Sequence, residues 1–142
     1  EAVLRNTLLP LATLITPNLD EAAILTGLEV RDPAQMEAAG RRLLDLGARN
    51  ALVKGGHLDS NVVVDVLVTA AGTRRFIHPR VATTSTHGTG CTLSAAVTAG
   101  LAQGRDLETA VTEALDFVYR AMLAAPGLGT GHGPLNHMVP AR

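Results

Sequence analysis

Thr86-His-Gly-Thr-Gly-Cys91-Thr-Leu-Ser-Ala-Ala96 joins a glycine-rich loop to the start of an amphipathic helix, and it constrains the fold more than any other stretch. Gly88 and Gly90 lack a Cβ, so consecutive backbone N–H groups can turn toward one point. The helix from Thr89 adds about half a positive charge at its N-terminus. The stretch therefore predicts a site for phosphate, or for the charge that develops during phosphoryl transfer. Spacing alone leaves open a glycine turn that only starts a helix.

Cys91 stands in the first turn of that helix, where a thiolate is favoured. It is a candidate base or nucleophile. The alternative is a small buried apolar side chain, the usual state of a free cysteine. As the only cysteine of the chain it has no intrachain disulfide partner, so we expect a reducing, cytoplasmic setting.

Helical and extended segments alternate on both sides of this motif. We predict helices over residues 1–9, 19–25 and 33–46, from residue 89, and after residue 106; we predict strands over residues 11–15, 51–53, 62–68 and 74–77. The last two strands flank residues 70–73, which predicts a hairpin with a loop longer than the tightest turns. The alternation predicts an α/β fold whose mostly parallel sheet is flanked by helices.

The helix over residues 33–46 has the clearest local signals. Asp32 is a favoured N-cap residue, Pro33 suits the first helical position, and Gln35 completes a capping-box pattern. Gly47 is a C-terminal stop, as Gly27 is for the preceding helix.

Polar and glycine-rich segments follow the predicted strands. Residues 16–18, residues 54–57 and the loop before Thr89 all stand at strand ends, where open α/β sheets bind ligands. We expect these segments to converge on one rim of the sheet.

Asn18 and Glu21 are spaced so that the amide and the carboxylate share one side of a helical start. Near a polyphosphate the carboxylate could hold Mg²⁺ directly or through water. The alternative is complementation of the helix dipole. We expect the Asp20 side chain to lie on a different side of the helix from Asn18 and Glu21.

Lys54 is the only lysine among 12 Lys and Arg residues, and it precedes Gly55 and Gly56. An ammonium on a flexible stem suits a phosphate that moves during a reaction. The alternative is a surface lysine in a turn.

Composition narrows the classes of function. A chain of 142 residues with 46% apolar residues fits one domain with one core. Its formal charge of −1 argues against nucleic acid as the main partner, and no apolar run reaches the roughly 18 residues of a membrane span. The spacing of His132 and His137 and the absence of a second cysteine argue against a zinc site, so we interpret both as loop residues.

Three segments, in order, resemble the hydroxymethylpyrimidine/phosphomethylpyrimidine kinases of thiamin biosynthesis, members of the ribokinase-like superfamily: residues 16–22, residues 52–57 and residues 86–96. Asp65, Arg80 and residues 131–134 also look like that family, so the resemblance covers nearly the whole chain. It implies a three-layer ribokinase-like fold of which residues 1–142 form the C-terminal, single-domain portion. Members of the family are longer, with an N-terminal part that supplies most of the substrate pocket.

The resemblance also implies roles for the candidate residues. The backbone of Gly88, Thr89, Gly90 and Cys91 matches the family's anion hole, and Cys91 matches the position of the catalytic base. Asn18 and Glu21 match an element of the family that organises Mg²⁺. Lys54 matches a lysine that lies near the ATP phosphates in that family. Further nucleotide contacts are expected from Gly56, Thr86 and Val81.

The resemblance thus implies ATP-dependent phosphorylation of a hydroxymethylpyrimidine or its monophosphate by a homodimer. Two alternatives stay open at this point. One is a pyridoxal-type kinase, since these enzymes can share the Gly-Thr-Gly-Cys element. The other is a nucleotide-binding fragment without catalytic competence.

Overall fold

The computed structural model describes residues 3–56 and 61–140, and the chain divides into two compact units, Glu1–Arg80 and Val81–Arg142. The first unit holds a π-helical turn (Leu4–Leu8), a 3₁₀ turn (Leu9–Leu11), helices α1 (Leu19–Thr26) and α2 (Pro33–Asp45), and strands β1 (Ala51–Val53), β2 (Val62–Thr69) and β3 (Gly72–Pro79). The second holds α3 (Thr89–Ala102) and α4 (Leu107–Leu123). The prediction of a single-domain portion over residues 1–142 stays a prediction.

The sheet of the first unit has the order β1-β2-β3, and both pairs of strands are antiparallel. The α/β class is confirmed, with α2 packed on β1 and β2 and α1 packed on α2. Parallel pairing, which we expected to dominate, is limited in the described first unit to two bridges, Ile15 with Ala51 and Asn18 with Lys54. The connections after β1 and β2 are too short for the crossover of a dozen or more residues that parallel neighbours need.

Two local predictions differ from the structure. Thr69 pairs with Gly72, so the hairpin turns on Ala70 and Ala71 alone, and the prediction of a longer loop is wrong. The Thr69 hydroxyl holds this turn: it accepts from the Ala71 N–H and donates to the Gly72 carbonyl. The strand predicted over residues 11–15 is also wrong except at Ile15, since residues 9–11 form the 3₁₀ turn.

The ends of α2 follow the local signals. Asp32 accepts from the Gln35 N–H at 2.8 Å, and Gly47 has a φ of 104° just beyond the helix. The capping box is incomplete, because the Gln35 side chain accepts from the Arg31 N–H instead of the N-cap N–H. The helix begins and ends close to the predicted positions.

The core of the first unit lies between α1, α2 and one face of the sheet. Its members are aliphatic side chains and methionine: Leu19, Ala22, Leu25, Val30, Met36, Ala39, Leu43, Ala48, Ala51, Val53, Val66 and Val68. Each removes apolar surface from water and so favours the folded state.

The second unit is a helical pair. Leu93, Val97 and Gly100 are the buried positions of α3, and their spacing of four and three residues places them on one face of the helix. A Cβ built on Gly100 would lie 3.1 Å from the Ala110 Cβ of α4, so the glycine permits a close approach of the two helices. None of the helices in the described ranges has both the length and the apolarity that a bilayer crossing requires.

Candidate functional site

In the first unit, the backbone places Lys54 beside Asn18. The Lys54 N–H donates to the Pro17 carbonyl at 2.9 Å, and the Leu52 N–H donates to the Ile15 carbonyl at 2.8 Å. Pro17 has no N–H group and so cannot donate a backbone hydrogen bond to a neighbouring strand. Residues 16–18 therefore lie beside residue 54, as predicted for these two segments. The convergence of the loop before Thr89 with them stays a prediction.

Asn18 and Glu21 form a complete capping box at the start of α1. The Asn18 Oδ1 accepts from the Glu21 N–H, and the Glu21 Oε2 accepts from the Asn18 N–H, each at 2.8 Å. The spacing of the two residues thus has a structural role, which does not conflict with binding a cation. The described residues contain no group of three or more His, Cys, Asp or Glu that could hold a metal ion.

The loop after β1 is held in place by hydrogen bonds between its peptide groups and side chains of other elements. The Gly55 N–H donates to the Asp65 Oδ1 at 2.9 Å, and the Arg80 guanidinium donates to the Gly56 carbonyl at 2.9 Å. A Cβ on Gly55 would overlap the Val64 carbonyl oxygen, so this glycine is needed for packing. His57 lies outside the described residues.

The carboxylate of Asp65, on β2, also contacts the imidazole of His78, on β3. Asp65 is 4% exposed, and its Oδ2 lies 3.3 Å from the His78 Nε2. This hydrogen bond raises the pKa of His78, against the opposing effects of burial and of the charge of Arg80.

In the second unit, Gly88 is the N-cap of α3 with a φ of 83°, a conformation that glycine adopts without strain. The Thr89 hydroxyl donates to the Thr86 carbonyl at 3.1 Å and closes the loop. Gly90 and Cys91 are in the first turn, where N–H groups have no acceptor within their own helix. The Thr89 N–H donates to the Thr86 carbonyl at 3.4 Å, so in this structure it is engaged within the loop. Binding of an anion by the amides of residues 88–91 stays a prediction.

Cys91 is exposed, so the alternative of a buried apolar cysteine is wrong. It lines a groove of about 570 Å³ formed by α3, α4 and the C-terminal segment. Its lining includes the small residues Ala95 and Ala99 together with the rings of Phe117 and His137.

Two histidines approach the glycine loop, which the sequence did not predict. The His132 Nδ1 lies 3.3 Å from the Thr86 hydroxyl, and the His137 Nε2 lies 2.9 Å from the Thr92 hydroxyl. Both lie in loop segments, as we expected, but their neighbours come from residues about 45 positions away, and no local pattern signals such a contact.

Val81 is partly buried, and its carbonyl accepts from the Thr83 N–H. Its contact with a nucleotide stays a prediction, as do those of Gly56 and Thr86.

Comparison with known proteins identifies the family. The sequence pattern described as phosphomethylpyrimidine kinase matches residues 1–136. The chain belongs to this family. The prediction made from the three motifs is thereby confirmed.

Two relatives illustrate the match. The chain is 47% identical over 140 residues to the thiamine biosynthesis bifunctional protein ThiED of Geobacter sulfurreducens, covering 99% of the chain and 29% of that protein. It is 43% identical to a hydroxymethylpyrimidine/phosphomethylpyrimidine kinase of Staphylococcus aureus, covering 96% of the chain and 50% of the relative. The chain thus spans half or less of the length of these two relatives.

Solved structures support the ribokinase-like fold. Bacillus subtilis pyridoxal kinase in complex with ADP matches with a TM-score of 0.89 at 38% identity, over 94% of this chain and 53% of that one. The phosphomethylpyrimidine kinase of Clostridium difficile matches with a TM-score of 0.68 at 36% identity, over 83% of this chain and 46% of that one. The chain therefore represents part of the fold.

Proposed function

We propose that the full-length protein containing this chain transfers the γ-phosphoryl group of ATP to 4-amino-5-hydroxymethyl-2-methylpyrimidine, to its monophosphate, or to both. The observation that carries the proposal is the glycine loop of α3, which presents first-turn amides beside an exposed cysteine in a member of this kinase family. The names of the relatives supply the acceptor.

The amides of residues 88–91 are assigned to the transferred phosphoryl group. Charge spreads over the phosphoryl oxygens in the transition state, and fixed N–H donors stabilise it without reorganisation. Cys91 is assigned to the acceptor hydroxyl, whose proton it accepts or orients. Its exposure on the groove supports this role.

Lys54 is assigned to the nucleotide phosphates, with Gly56, Thr86 and Val81 as further nucleotide contacts. Mg²⁺ commonly binds through one or two carboxylates together with substrate phosphates. Glu21 beside Asn18 offers hard oxygen donors that fit this mode, and the ion would neutralise phosphate charge. ADP and AMP-PCP complexes of neighbouring structures support nucleotide binding.

The test is turnover of the full-length protein with Cys91 replaced. We expect Cys91→Ala to lower kcat by about 100-fold or more, the usual contribution of a positioned acid–base group. Thr98→Ala is the matched control, since this exposed hydroxyl only donates to the Ser94 carbonyl of the same helix. Near-normal turnover of Cys91→Ala would contradict the assigned role.

Pyridoxal is the second candidate acceptor, because pyridoxal kinases are among the structures that match with TM-scores near 0.9. Parallel assays with the hydroxymethylpyrimidine, its monophosphate and pyridoxal decide between the acceptors. ATP binding without turnover of any of them would favour a non-catalytic nucleotide-binding protein.

We also propose a cytoplasmic homodimer, and light scattering of the full-length protein tests the dimer.

A further inference from the structure

The backbone from Lys54 to Gly56 is anchored at three successive points. The Lys54 N–H donates to the Pro17 carbonyl, the Gly55 N–H to the Asp65 carboxylate, and the Gly56 carbonyl accepts from Arg80, each at 2.9 Å. The second and third anchors come from the β2–β3 hairpin. These contacts fix the peptide groups on the C-terminal side of Lys54.

Asp65 is suited to hold a backbone amide. Its side chain is almost fully buried, and a carboxylate that accepts from an N–H group forms a charge-assisted hydrogen bond. The Val64 carbonyl oxygen leaves no room for a Cβ at Gly55, so the loop also packs directly on the hairpin backbone. The conformation of the loop therefore depends on the hairpin.

We propose that Asp65 and Arg80 are positioning residues for nucleotide binding, which act by fixing the backbone that carries Lys54. This inference rests on the proposed function, because it takes Lys54 as the group that binds the ATP phosphates. A flexible ammonium loses less entropy on binding when its backbone is already fixed. Neither Asp65 nor Arg80 needs to touch the nucleotide for this effect.

The first measurement is the affinity of the full-length protein for the non-hydrolysable nucleotide AMP-PCP, by calorimetry. The Arg80–Gly56 hydrogen bond is exposed, so we expect Arg80→Ala to weaken binding by about two- to tenfold, the scale of one net hydrogen bond. Arg80→Lys should recover part of the loss, since an ammonium can also donate to the Gly56 carbonyl. Arg75→Ala is the matched control, an arginine of β3 that lies 3.6 Å from Glu37 of α2.

The decisive measurement is the coupling of Arg80 to Lys54. If Arg80 acts through Lys54, Arg80→Ala should weaken binding little further in a Lys54→Ala protein. Independent, additive losses would overturn the inference, and so would unchanged AMP-PCP binding in Arg80→Ala. A Lys54→Ala protein that binds as tightly as the parent would overturn it as well.

Asp65→Asn gives a second variant that keeps the shape of the side chain. We expect weaker AMP-PCP binding together with a shifted amide resonance of Gly55, since the acceptor loses its charge. An unmoved resonance with unchanged binding would contradict the role of Asp65. If the variants show these nucleotide affinities but the parent protein phosphorylates none of the proposed acceptors, the result would contradict the proposed function alone.

Discussion

Gly40 of α2 lies directly against Val68 of β2, so closely that a Cβ at position 40 would overlap the Val68 Cγ2 atom. The glycine therefore sets the distance between the helix and the sheet in the first unit. Both residues are buried, and Val68 pairs with Ala51 of β1.

Gly40→Ala should destabilise the full-length protein by about 1–3 kcal/mol, because overpacking outweighs the better helix propensity of alanine. The measurement is the free energy of unfolding in urea. Gly131→Ala is the control, since a Cβ there meets open space. Gly40→Ala with unchanged or higher stability would show that the helix can move away at no cost.

Asn18→Ala should cost about 1 kcal/mol of stability, because α1 loses its side-chain cap. Asn18→Asp should keep most of the stability, since aspartate caps as well as asparagine. Urea unfolding measures both, with Asp20→Asn as a control in the same helical turn. Equal stability of Asn18→Ala and the parent would mean that water replaces the cap.

His78 should make stability depend on pH. Its pKa is raised above the usual 6.5 by the hydrogen bond to Asp65, so its stabilising effect is fully present below about pH 6.5 and is lost as the pH rises through the folded-state pKa. The groups that act on its charge are Asp65, which favours it, and Arg80, which opposes it. The stability advantage of the parent over His78→Gln should therefore shrink as the pH rises above about 6.5. An advantage that stays constant or grows would contradict this.

Asp106 should stabilise α4 except in acid. The N–H and hydroxyl of Thr109 hydrogen-bond its carboxylate and lower its pKa below 3.8. The stabilisation is present above about pH 3.8 and is lost as the pH falls through the lowered pKa. Thermal unfolding should show Asp106→Ala to be less stable than the parent at pH 6, with a smaller gap near pH 3. A gap that widens in acid would contradict the cap.

Local signals predicted much of the fold. Asp32 with Pro33, and the positive-φ glycines Gly27 and Gly47, set the ends of α1 and α2 through contacts of only a few residues. The hairpin loop was missed because Ala70 and Ala71 carry no turn signal. The hydroxyl of Thr69, outside the loop, supplies the hydrogen bonds of that turn.

The sequence by itself determined the family and the candidate residues, because the glycine loop, Cys91 and the Asn18–Glu21 spacing are local patterns whose chemistry does not depend on distant partners. Tertiary structure alone decided that Asp65 and Arg80 hold the backbone after Lys54, and that His132 and His137 approach Thr86 and Thr92. These contacts join residues from 10 to 46 positions apart. No local pattern encodes such contacts, since the packing of whole elements creates them.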